Sequence, residues 1–413
     1  MEGKGSRVVG RLLTTVLFLC GAACLLPSLL MLGGVFWDSG HPSFVHVVDA
    51  FSTTPRVAAL IGNTLAVAAG TVCVSLLIGI PTGFLFFRTD LPLRGAAIIG
   101  CLVAACIPLH VTVTCWMALA GMQFWLGSAW GAAWIGGIAY APLTTLITGI
   151  CFAASDPDLE DAAGLDAGRR GVFRHVTLPA GSWGIAVAAL AVVVLSMWDI
   201  TITDVLTVRT FGEEVFTQFQ LGAGPWNAAA MALPVIAVGA LAGYAAWRHV
   251  RRHGEATLAG TIRKAATVRL GFLRYPLCAL AVIGFLGLYV VPFAALLKAL
   301  GSAAGLASAW RATHEEIVLT LWVTPLAATI CAFLSVLWAW VIVRGGFARV
   351  PAVAGMLLLF ATPGPLVGIG LITLLNRPGL AGVIYDSEAT LVAAYVIRAL
   401  PFGILAMIPA IKR

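Results

Sequence analysis

Residues 58–87, AALIGNTLAVAAGTVCVSLLIGIPTGFLFF, run for thirty positions without one charged side chain. An apolar stretch of about 20 residues crosses the hydrocarbon of a bilayer as a helix, so this run has few other places to fold. Nine similar runs lie at about 8–34, 94–121, 129–154, 178–203, 226–247, 272–300, 317–343, 350–375 and 389–410. They are continuous instead of alternating, which disfavours a barrel. Charged residues make up only 10% of the chain, against about 25% in an average soluble domain. The sequence therefore predicts an all-α polytopic membrane protein with about ten transmembrane helices.

The first run is longer than a signal core, and no Ala-x-Ala site follows it, so a retained anchor is expected. With the N-terminus in the cytoplasm, 19 of the 25 Lys and Arg fall in cytoplasmic segments. Arg56, Lys298, Arg311 and Arg377 lie outside. That bias predicts N-terminus inside and explains the net charge of +7 as topology, with no nucleic-acid partner. The nine cysteines all lie in predicted spans without metal-ligand spacing, as small apolar residues do.

A weak internal repeat underlies the hydropathy. Thr64, Leu65, Val67 and Arg88 match Thr320, Leu321, Val323 and Arg344 at an offset of 256; Pro108-Leu109 matches Pro365-Leu366 at 257, and Pro142 matches Pro401 at 259. Their common order and orientation predict two parallel modules. The expected layout is a first helix and outer loop (1–57), a first core module (58–247), and a basic cytoplasmic linker beside anionic lipid (248–271). A leading helix (272–316) and a second core module (317–413) follow.

One polar segment interrupts the apolar pattern. In SDPDLEDAAGLDAGRRGVFRHVTLP, Ser155 and Asp158 have capping-box spacing, and Pro157 suits a first helical turn. The helix is expected to run to about Ala167 and end at Gly168, with Leu159, Ala162, Ala163 and Asp166 sharing one side. Phe173 and Val176 then pack a second short element before Leu178-Pro179 opens the next span.

LEDAAGLDAGRRGVFRHVTLP resembles the EAA loop of the membrane subunits of binding-protein-dependent ABC importers, and Asn63-Thr64-Leu65 resembles the start of their core module. The whole chain resembles the fused two-module permeases of the iron(III), thiamine and phosphonate group. The resemblance implies that Leu159, Glu160, Asp161, Ala162, Ala163, Asp166, Ala167 and Gly168, with Leu178 and Pro179, form a coupling helix and loop that dock into an ATPase subunit. The family's Glu-Ala-Ala falls on Asp161-Ala162-Ala163. Asp161 replaces the usual Glu, Ala167 stands where Gly is common, and the interval to Leu178-Pro179 is one residue short. The implied partners are an ABC ATPase dimer and a periplasmic solute-binding protein, and the implied location is the bacterial inner membrane.

A P-loop requires Lys followed by Ser or Thr, but Lys4, Lys264, Lys298 and Lys412 are followed by Gly, Ala, Ala and Arg. No cofactor is expected on this chain; ATP and Mg²⁺ belong to the partner, and the chain itself is not expected to be an enzyme. His314-Glu315-Glu316 does not complete His-Glu-x-x-His, so no metal site is expected. Asn63 and Asp199 are candidates for the translocation path, since an intramembrane carboxylate needs water or a partner. Asp199 has a second reading, a packing hydrogen bond with Thr201 or Thr203. Glu213 and Glu214 are candidates for binding-protein contact or for an ordinary outer loop. VRTFGEEVFTQ, 208–218, resembles iron(III)-type permeases. An ion-coupled secondary transporter also fits the spans and Asp199, but gives the polar segment no purpose. The 259-residue offset puts a second Leu-Pro near about 437–438, so the second module is expected to be incomplete at Arg413.

Overall fold

A computed structural model describes residues 20–38, 40–121, 125–154, 157–259, 267–299, 301 and 303–411. The elements begin with α1 (Cys20–Val35), a two-residue antiparallel hairpin pairing Trp37–Asp38 with His41–Pro42, α2 (Val45–Phe51) and α3 (Thr54–Arg88). Next come α4 (Arg94–Ala105), α5 (Leu109–Ala120), α6 (Ala129–Ala153), α7 (Pro157–Val172), α8 (Leu178–Trp198), α9 (Thr201–Val205), α10 (Phe211–Gln220) and α11 (Pro225–Ala259). The remainder comprises α12 (Arg274–Phe285), α13 (Val291–Ala299), α14 (Ala303–Arg344), α15 (Arg349–Ala361), α16 (Gly364–Leu375), α17 (Leu380–Tyr385) and α18 (Ala389–Ile411). The protein is a helical, polytopic membrane fold.

Among the described residues, six helical runs are long and apolar enough to cross a bilayer, and eight if each of two bent pairs counts as one span. The bent pairs occupy the spans expected near 94–121 and 350–375. Between α4 and α5 the axis turns by 99°, and between α15 and α16 by 106°. Proline explains both corners. Pro108 and Pro363 sit in extended backbone immediately before the second helix of each pair, and the residue ahead of a proline is driven away from helical angles. Two ends differ from expectation. α11 continues through the basic stretch to Ala259, and α14 begins at Ala303, because RHVRRHGEATLA and ASAWRATHEE favour helix once outside the apolar core. The first expected span is described only from Cys20, and residues 260–266 of the expected linker lie outside the described residues.

Contacts divide the described chain into two units that interleave along the sequence. In their described parts, one draws on residues 59–210, 256–259 and 267–306; the other draws on residues 20–58, 211–255 and 307–411.

In the first unit, α3 and α6 meet along a seam of small and hydroxyl-bearing residues. Apolar side chains gain nothing by leaving lipid for one another, so close backbone approach and interhelical hydrogen bonds hold such helices together. Ser75 and Thr144 hydroxyls lie 2.5 Å apart, Thr82 and Thr145 hydroxyls 2.8 Å apart, and Thr148 donates to the Gly79 carbonyl at 3.2 Å. A Cβ on Gly83 would stand 2.4 Å from Thr148 Oγ1 and 2.9 Å from the Thr145 carbonyl oxygen. The continuous run Gly271–Ala299 joins this unit through Tyr289, whose hydroxyl donates to the Ile138 carbonyl at 2.9 Å.

In the second unit, α14, α15 and α18 enclose a core that includes Trp338, Met356, Leu400 and Ile404. Trp338 Nε1 donates to the Ala352 carbonyl at 2.8 Å, so the large ring brings its one polar atom a partner. Gly403 lets α18 lie against Ser335 of α14, and Gly370 of α16 lies against Pro27 and Met31 of α1.

Candidate functional site

The polar segment folds as two helical pieces within α7. The break is at Gly168, whose φ of 62° and ψ of 177° are open to glycine and strained for other residues. After it the chain re-enters a helix, passes through a π-helical turn at Phe173–Thr177, and continues into α8 with Pro179 in the first turn. The proposed Ser155 cap lies outside the described residues, as do the side chains of Asp158, Asp166 and Ala167.

The first piece of α7 divides its two adjacent acids between solvent and core. Leu159, Asp161, Ala162 and Gly164 are exposed, Ala163 is half-buried, and Leu165 is 88% exposed. Glu160 faces inward and is only 7% exposed. There it forms an ion pair with Arg88, the last residue of α3, which is 1% exposed. Thr177, from the π-helical turn, donates its hydroxyl to the other Glu160 oxygen at 2.9 Å. One carboxylate thus forms a tripod that joins the end of α3, the inner side of α7 and the π-helical turn that leads into α8. Aromatic contacts run parallel to it: the Phe84 ring meets Phe152 at 5.7 Å and Phe173 at 5.2 Å, both edge to face.

Arg88 also anchors a segment from much later in the chain. Its carbonyl accepts from Val268 N at 2.8 Å, Asp90 N donates to the Val268 carbonyl at 3.3 Å, and Asp90 Oδ1 accepts from Leu270 N at 2.8 Å. Thr89 and Val268 form a parallel bridge. This clasp holds the distal end of the basic linker beside the tripod, and the sequence reading missed it. Its only signals were an Asp two residues past a helix end and a β-branched residue among basic ones.

The candidate path residues are engaged in backbone hydrogen bonds. Asp199 closes α8 and opens α9, accepting from Thr201 N at 2.9 Å and Ile202 N at 3.2 Å. Those bonds satisfy donors at a helix start, as a capping carboxylate does. Both bonds are local to the turn between α8 and α9, and the Thr203 hydroxyl donates to the carbonyls of Ile200 and Asp199. Asn63 donates to the Arg209 carbonyl at 3.0 Å, tying α3 to the loop after α9.

Glu214 differs from a solvated outer-loop residue. It is 2% exposed, pairs with Arg56 and accepts from Gln218 at 2.8 Å. Glu213 is half-buried and accepts from the Thr217 hydroxyl at 2.6 Å. In this conformation Glu214 is committed to the interior of its own unit.

Among the described residues no cluster of three or more His, Cys, Asp or Glu side chains is placed to hold a metal ion. All nine cysteines are free thiols; Cys101, Cys115 and Cys331 are buried, whereas Cys73 and Cys106 are exposed. The chain matches no protein-family model and no curated protein.

Proposed function

We propose that the chain is the membrane-spanning permease subunit of an ABC importer, with α7 as the coupling helix. The observation that carries this reading is the form of α7: a short, glycine-broken helix with a low, exposed Asp161-Ala162 face, set between two apolar helices and tied inward by Glu160. A docking knob needs both properties, a surface that admits close contact and a rigid root. The burial of Glu160 also supports a different register for the resemblance. With the family's acid on Glu160 instead of Asp161, the interval to Leu178-Pro179 lengthens by one and the missing residue is restored.

In this reading the apolar runs form ten spans in two parallel modules, with the N-terminus in the cytoplasm of a bacterial inner membrane. The two bent pairs support the repeat: Arg94 and Arg349 open them, Pro108 and Pro363 turn them, and both offsets are 255. A separate ATPase dimer supplies the energy and a periplasmic binding protein delivers the solute. Closure of the dimer on ATP moves the docked helix, and the spans alternate between inward-open and outward-open states. The resemblance of residues 208–218 to iron(III)-type permeases favours iron(III) as the solute to be tested first.

Reconstitution with an ABC ATPase and an exported binding protein, sought among the neighbouring genes, tests the proposal. ATP-dependent uptake is expected, and Ala162→Arg is expected to abolish ATPase association without preventing membrane insertion. Uptake driven by a proton or sodium gradient with no ATP requirement would replace this reading with a secondary transporter, whose broken helices the two bent pairs also resemble. Screening the binding protein against iron(III), thiamine, phosphonates and oxyanions tests the solute.

A further inference from the structure

We infer that Arg88 and Glu160 form the mechanical root of the coupling helix, so that motion imposed on α7 is transmitted to α3. This rests on the importer reading for its functional meaning, but the link itself is structural. Three observations carry it. Both charges are buried, so their attraction acts in a medium that screens it little. Glu160 also receives the Thr177 hydroxyl, which brings the start of α8 into the same joint. And Arg88 is the terminal residue of α3, so a sideways or axial push on the guanidinium acts first on the two turns between Pro81 and the helix end.

The alternatives for rooting α7 are weaker. Phe173 offers an edge-to-face ring contact to Phe84, but it lies beyond the Gly168 break, in the π-helical turn that follows α7. Before the break, Leu159 and Leu165 are exposed and bury little against the unit. Without the ion pair, the first piece of α7 keeps its backbone attachments and pivots at Gly168. Arg88 and Glu160 are thus positioning residues: they act through the helix face beside them.

Removing one charge alone leaves its partner buried and unpaired, which invites misfolding. The decisive variant is therefore the double replacement Arg88→Met with Glu160→Met, which removes both charges and retains bulk. Two readouts are needed. In the first, the full chain in lipid nanodiscs carries spin labels at Leu77 of α3 and Leu165 of α7, both exposed; a ketone-bearing amino acid takes the label because nine native cysteines would compete. The wild-type distance distribution is expected to be narrow and the double variant's broad, and Arg88→Lys, which keeps the charge, is expected to stay close to wild type. In the second, the complex with its ATPase and binding protein is assayed. Measured per complex that has assembled with the ATPase, the double variant is expected to lose about 10-fold or more of stimulated hydrolysis, a size typical of coupling between sites.

A narrow distribution in the double variant, or stimulated hydrolysis equal to wild type, overturns the inference. Failure of the wild-type chain to associate with the ATPase sinks the importer reading instead, and the distance measurement still judges the joint.

Discussion

Two arginines 256 positions apart end two long helices, and their surroundings differ. Arg88 closes α3, is buried against Glu160, and passes the chain directly into a backbone clasp with Val268. Arg344 closes α14, is exposed, and lies over the Trp340 ring at 4.9 Å, with Gly345 and Gly346 in left-handed backbone beyond it. Both positions suit a cation, because the carbonyl end of a helix carries partial negative charge. The difference shows that a shared residue type at a shared helical position reports only that local preference. Whether the arginine becomes a joint or a surface anchor is decided by what the following chain brings to it: an acid seventy-two residues later for Arg88, and the helix's own tryptophan for Arg344.

The comparison breaks most clearly by deletion of each charge. Arg88→Met strands a buried carboxylate and is expected to destabilise the first unit by about 3–5 kcal/mol, whereas Arg344→Met forfeits an exposed cation–ring contact worth about 0.5–1 kcal/mol. Denaturant melts of the two variants in matched detergent measure the gap. Equal losses would remove the distinction between joint and anchor.

A second contrast concerns packing within the first unit. Gly83→Ala places a methyl group against the Thr145 carbonyl and the Thr148 hydroxyl, with an expected cost of about 1–3 kcal/mol. Gly284→Ala meets nothing within 4 Å and is expected to be neutral or to gain up to about 1 kcal/mol from helix propensity. Thermal aggregation midpoints in lipid nanodiscs order the two; a harmless Gly83→Ala would mean that the α3–α6 seam is looser than its contacts imply.

The smallest effect separates the two readings of Asp199. Asparagine caps a helix about as well as aspartate, so Asp199→Asn is expected to stay within about 0.5 kcal/mol of wild type, while Asp199→Ala loses about 1 kcal/mol. Uptake by Asp199→Asn at equal abundance should match wild type if the carboxylate only caps α9. A selective loss of uptake would give the charge a place on the solute path.

Much of the helical framework was legible because hydropathy is a local property: the expected runs coincide with α3, α6, the Gly271–Ala299 run and α18 to within a few residues. The corners were written in the sequence too, as Cys106-Ile107-Pro108 and Thr362-Pro363-Gly364, but apolarity on both sides masked them. The Gly168 break follows from the one residue able to take its backbone angles without strain. Composition did not distinguish Glu160 from Asp161, because two neighbouring acids differ only in which way the helix turns them. The buried partner that decides the matter, Arg88, is distant in sequence, and so is the Val268 clasp, 178 residues beyond Asp90.

The interleaved contact units set a timetable for biogenesis. Residues 20–58 belong with the segment that begins at residue 307, so synthesis of that segment starts only about 250 residues later, roughly 12–50 s at ordinary elongation rates. The core built from residues 59–210 likewise waits for residues 256–306 before Tyr289 reaches the Ile138 carbonyl. During those intervals apolar helices stand in the bilayer without their final neighbours, sheltered by lipid or by the insertion machinery. A ribosome stalled within the linker would release a chain in which neither unit has its full complement of helices.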